Sequence, residues 1–134
     1  MSKVAVLTLL FLLIGCSSEY SSFHSSAFFK PSKRVLVLDS NSRIADNFFK
    51  KEYSWLVSVK ADQNWLKEVT SNELEVTGYD YQSITKLLIG KFPHAFPGKS
   101  IYDLYHVGEE SNGREYYLLK TKGIDHVIYY IATI

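Results

Sequence analysis

The stretch that decides the fold is Ile101-Tyr102-Asp103-Leu104-Tyr105-His106-Val107, then Asn112-Gly113, then Arg114-Glu115-Tyr116-Tyr117-Leu118-Leu119-Lys120-Thr121, then Lys122-Gly123, then Asp125-His126-Val127-Ile128-Tyr129-Tyr130-Ile131-Ala132-Thr133. Three runs rich in β-branched and aromatic residues alternate with two short glycine turns, which predicts a three-stranded antiparallel meander. Asn112-Gly113 is a two-residue hairpin signal, because both central positions of a type I′ turn require positive φ. Tyrosines fall on both alternating faces of the strands. One face is expected to pack on a helix and the other beneath the N-terminal part of the chain, or else to stay open as a binding surface, where tyrosine is enriched.

Upstream of the meander, Pro97-Gly98 marks a turn. Ile84, Leu87 and Leu88 form an apolar stripe on a helix expected to start at an Asp80 N-cap and to end at Gly90, in the left-handed conformation that closes many helices, with Pro93 preventing its resumption. Asp62 is placed to cap a short helix carrying Trp65, Leu66 and Val69. Val35 to Leu38 is apolar at consecutive positions, as in a strand covered on both sides. Asp39 to Ser42 then reads as a turn, Ile44 to Tyr53 as a helix and Trp55 to Val59 as a strand. The expected fold is α+β: a mostly antiparallel sheet, a C-terminal meander packed on one or more helices, and an N-terminal strand-helix-strand unit.

The first residues carry an address. Met1-Ser2-Lys3 supplies one positive charge, and Val4 to Ile14 is an uncharged, leucine-rich run shorter than the roughly 20 residues of a membrane-spanning helix. This is the form of a secretory signal. It ends in Leu13-Ile14-Gly15-Cys16, which resembles the lipobox of bacterial lipoproteins. The resemblance implies a signal peptide over residues 1–15, cleavage before Cys16 and acyl chains, palmitate among them, on that cysteine. Cys16 is the single cysteine in 134 residues, so an intramolecular disulfide and a CxxC site are excluded. Two or three acyl chains make a lasting anchor at roughly 0.8 kcal/mol per buried methylene. Serine at positions 17 and 18, rather than aspartate, implies an outer-membrane destination. Residues 16–32 are serine-rich and aperiodic, and read as the lipidated cysteine and a tether. Phe23, Phe28 and Phe29 are out of place in a spacer, and are expected either to pack on the domain or to dip into the lipid interface. The globular domain is expected to span residues 33–134.

The chain has 15 basic and 14 acidic side chains, for a net charge of +1 that resides in Lys3. That balance gives no basic footprint for nucleic acid. Chemistry is equally sparse. His24 lies in the tether, His94 in a proline-bounded loop, and His106 and His126 on strands. His106 and His126 could pair across the sheet, but are read as edge or solvent-face side chains. No HExxH pairing is present, the serines near Ser100 lack a nucleophile-elbow setting, and Asn41 stands where an Asp39-based phosphatase site needs a second aspartate. No catalytic residue, metal site or cofactor is assigned.

From Gly78 onward the chain resembles the SmpA/OmlA family of small outer-membrane lipoproteins, within the fold group of the β-lactamase inhibitor protein. The resemblance rests on Gly78-Tyr79-Asp80, the helix Ile84 to Leu87-Leu88-Ile89-Gly90, Phe92-Pro93, and the hairpins from Tyr102 to Ile131. It implies a non-enzymatic scaffold or binding lipoprotein facing the periplasm, accessory to outer-membrane protein assembly. An inhibitor or immunity lipoprotein neutralising a toxin or hydrolase is the alternative, because the same fold group holds inhibitors. The expected partners are the membrane, through Cys16, and an envelope protein. Phe96, Tyr102 and Tyr117 are the candidate contacts for that protein.

Overall fold

A computed structural model of the chain describes residues 23–44, 51–71 and 76–133. The elements in chain order are β1 (Leu36–Ile44), β2 (Lys51–Ser58), α1 (Gln63–Ser71), α2 (Gly78–Lys91), β3 (Asp103–Glu109), β4 (Arg114–Lys120) and β5 (His126–Thr133). All five strands belong to one antiparallel sheet of order β1-β2-β5-β4-β3. The meander is β3-β4-β5, and the β1-β2 hairpin joins it by pairing β2 to β5. The fold is thus α+β, with an antiparallel sheet carrying helices.

Why β5 lies in the middle is legible in its side chains. Val127 to Ile131 are five consecutive buried residues. A strand apolar at successive positions must be covered on both faces. On one face, Val127, Tyr129 and Ile131 join Trp55, Val57, Tyr116, Leu118 and Val107; on the other, Ile128 and Tyr130 join Leu104 and Leu119. The sheet is the middle of three layers.

The first face is covered by α1 and by the chain that enters the domain. Trp65 and Val69 of α1 are buried, with Leu66 packed beside them. Phe23 is fully buried, with ring centroids 5.6 Å from Trp55, 6.0 Å from Trp65 and 5.5 Å from Tyr129. The Phe28 amide donates to the Tyr129 hydroxyl (3.0 Å), and the Trp65 indole N–H donates to the Phe29 carbonyl (2.9 Å). Asp62 caps α1 as expected, accepting from the Trp65 amide at 3.1 Å. The Ser32 hydroxyl donates to the other oxygen of that carboxylate (2.6 Å), and these two bonds, Ser32 first, hold it below the usual carboxylate value. The expected tether is therefore corrected. From Phe23 on, the residues are part of the folded domain, and of the two outcomes expected for the phenylalanines, Phe23 takes packing on the domain.

The second face is covered by α2 and the loop after it. Leu88, Phe92, Ala95 and Phe96 are buried there, with Ile84, Ile89 and Tyr81 alongside. Several local expectations change. Helix α2 begins at Gly78 after an extended Thr77, so Asp80 lies in the first turn rather than at the N-cap. Its carboxylate and Lys91 in the last turn both complement the helix dipole. Gly90 is not among the positive-φ glycines and the helix runs through it to Lys91, while Leu87 faces outward at 38% exposure. Asp39 to Ser42 is not a turn but the middle of β1, and residues 51–53, expected to close a helix, open β2. Residues 45–50 lie outside the described ones. Finally, β1 is an edge strand with Leu36 and Leu38 each 53% exposed, so the doubly covered strand is β5 and not Val35–Leu38.

Candidate functional site

Cys16 lies outside the described residues. The three proposed aromatic contacts do not form a surface. Phe96 is buried at 5% exposure in the second core, stacked on His126 and 5.7 Å from the Tyr102 ring. Tyr102 is half-buried, and its hydroxyl donates to the Lys99 carbonyl (2.6 Å). Tyr117, on β4, is half-buried beside Tyr130 and opposite His106, which lies four residues after Tyr102 in the chain. Four strand residues span about 13 Å. The contact role expected of Phe96 is therefore corrected, since its ring is buried in the core between α2 and the sheet, and Tyr102 and Tyr117 pack partly buried against that same core. Tyrosine content alone cannot separate a core from an interface, because its ring suits both and its hydroxyl needs only one partner.

The histidines are dispersed. His24 bonds the Ser32 carbonyl (2.8 Å), His94 is exposed in the loop after α2, and His126 contacts the Ala95 carbonyl. β4 separates His106 from His126, and they pair with different ends of their neighbours, at Tyr117 and Ser58. They do not meet.

The geometry does offer two other features on the α2 side of the sheet. One is a chain of polar side chains at the open end of the second layer. Tyr130 donates to Glu52 (2.9 Å), which pairs with Lys91 at 3.4 Å; Tyr117 donates to Glu115 at 3.1 Å. Burial, reinforced by these carboxylates, pushes both phenols well above their ordinary value. They remain neutral donors throughout the physiological range.

The other feature is a groove of about 610 Å³ between β1 and α2, lined by Asn41, Ser83, Lys86, Leu87, Gly90 and Lys91. It arises because α2 lies over the β2-β5-β4-β3 part of the sheet and leaves the β1 side uncovered. Exposed Leu36 and Leu38 lie on the same strand as Asn41, and Leu87 looks into the groove from the helix. Beyond the bulge between Val37 and Asp39, β1 keeps regular register from Asp39 to Ile44. Sequence reasoning missed this surface because it placed Val35–Leu38 in the interior. A signal was present in Ser40, Asn41 and Ser42, which are too polar to flank a doubly buried strand. No helix among the described residues is long and apolar enough to cross a membrane. No family model matches the chain, and no characterised protein or solved structure matches it either.

Proposed function

We propose that this chain is a lipid-anchored scaffold or binding protein of the bacterial cell envelope, held in the outer membrane through Cys16, with its domain in the periplasm. It acts by docking an envelope protein and not by catalysis, as an accessory to outer-membrane protein assembly. The resemblance to SmpA/OmlA lipoproteins from Gly78 onward points the same way. The observation that carries the binding reading is the groove between β1 and α2, bordered by an open strand edge. An edge strand presents unpaired N–H and C=O groups, and an extended segment of a partner can add to it while side chains enter an adjoining groove. Leu36 and Leu38 are exposed on the edge strand itself, and Leu87 is an exposed apolar side chain lining the groove.

Anchoring raises the effective concentration of domain and partner within one thin layer, so a weak contact is well populated. The test is in-cell photocrosslinking in the native lipoprotein from positions 36, 38 and 87, with position 96 as a buried control. A defined envelope protein trapped from the first three positions, and only internal crosslinks from the fourth, is the expected result. Capture of a secreted toxin or hydrolase would replace this reading with that of an inhibitor. Internal crosslinks from all four positions would remove the groove as a docking surface.

A further inference from the structure

We propose that His106, Glu109 and Glu115 form a binding site for one divalent transition-metal ion such as zinc, at the turn end of the β3-β4 hairpin. One ligand atom from each of the three side chains lies within 4.8 Å of the other two. That spacing lets a single ion reach all three with small side-chain adjustments, since zinc bonds to imidazole and carboxylate at roughly 2.0–2.2 Å.

The backbone assembles this set through an irregularity. Residues three apart on a regular strand point to opposite faces. In β3 the register shifts between His106 and Gly108, so His106 faces Tyr117 while Glu109 falls directly opposite Glu115. The extra residue, Val107, is buried in the first core, and His106 and Glu109 emerge on the same side of the sheet. Bulges of this kind re-aim side chains and gather next to functional sites. Gly108 keeps the bulge compact, because a β-carbon there would lie 2.8 Å from the Phe28 ring.

Two further observations point to a cation. Like charges directly opposite across an antiparallel pair repel, and Glu109 and Glu115 are so placed with no described Lys or Arg within ion-pair distance of either. His106 Nε2 is closed off from solvent and has no hydrogen-bond partner among the described residues. Tyr117 donates to one oxygen of Glu115 (3.1 Å) and packs its ring 5.0 Å from that of His106, so it orients two of the three ligands. One imidazole with two carboxylates favours zinc or its first-row neighbours over magnesium and calcium, which take all-oxygen sets. Three protein ligands at the surface leave a coordination position open to water or to a donor group of a partner.

The experiment uses the full chain in detergent micelles, titrated calorimetrically with zinc, with magnesium and calcium as controls, and with cobalt(II) as a spectroscopic probe. One zinc per chain and a cobalt spectrum showing nitrogen-oxygen ligation are expected. His106→Ala, Glu109→Gln and Glu115→Gln should each weaken zinc binding by more than the roughly 10-fold typical of an outer-shell loss, and Tyr117→Phe by about that amount. His94→Ala is the control and should leave the affinity unchanged. Without metal, Glu109→Gln should melt no lower than the parent, since it relieves a repulsion, which separates loss of ligation from loss of fold. Zinc binding unaltered by the His106, Glu109 and Glu115 changes, no saturable zinc binding at all, or equal binding of calcium would each overturn the site.

Discussion

At the scale of single residues, Gly113 shows how a right location can carry a wrong mechanism. It takes φ 84°, but no non-glycine residue among the described residues has positive φ, so Asn112 does not. The Gly113 amide donates to the Glu110 carbonyl (3.0 Å) and the Glu110 amide to the Arg114 carbonyl (2.8 Å). This is a three-residue loop closed by a glycine bulge rather than a type I′ turn. Only one position needs glycine, and Gly113→Val should cost about 1–3 kcal/mol in strain. A chemical-denaturation midpoint unchanged by this variant would mean that the loop re-forms without that conformation. Asn112→Ala should cost less, since it loses only the side-chain bond to the Arg114 amide. Cys16 is tested by a different readout. If its sulfur carries the acyl chains, Cys16→Ser should abolish incorporation of a clickable fatty acid, and continued labelling would remove the lipoprotein reading.

At the scale of elements, the N-terminal segment matters most. Phe23 touches Trp55, Trp65 and Tyr129, which come from β2, α1 and β5. Phe23→Ala should therefore destabilise the whole domain by about 3–5 kcal/mol, the usual cost of emptying a buried phenylalanine site. Thermal melting of the full chain measures this; a change below about 1 kcal/mol would mean the residue is peripheral. The segment also shows where sequence reading reaches its limit. Ser17 to Ser26 has a linker's composition, and no period surrounds Phe23 to mark it as core. Its burial depends on a hole left by Trp55 and Trp65, which only the assembled sheet creates. The meander was legible because its pattern is local: period-two strands and glycine turns. The edge position of β1 was not, because an apolar run reads alike whether it lies between neighbours or beside one. The histidine-glutamate cluster escaped notice for a similar reason, since a one-residue bulge brings together side chains that regular spacing places on opposite faces.

At the scale of the whole molecule, the three layers tie stability to alkaline pH. Burial, the leading cause, raises the phenols of Tyr117, Tyr129 and Tyr130 above their ordinary value of 10.0. The unfolded chain releases these protons first, so the stability held by neutral phenols is complete below about pH 10 and is lost as pH rises through the folded values. Phenolate absorbance followed during an alkaline titration should show a slow, cooperative fraction that appears together with loss of circular dichroism. A fully reversible titration of all tyrosines near their ordinary value would mean that the rings are exposed. The position of Phe23 has another consequence, of orientation. Only six residues separate Cys16 from Phe23, and an extended chain of that length reaches no more than about 25 Å. With Cys16 acylated, the domain is moored close against the lipid by the face that holds Phe23, as a boat on a short line shows one side to the quay. The sheet then stands as a bulkhead, and the α2 side, with its groove and its histidine-glutamate cluster, is turned away from the lipid, the side on which the proposed docking would take place.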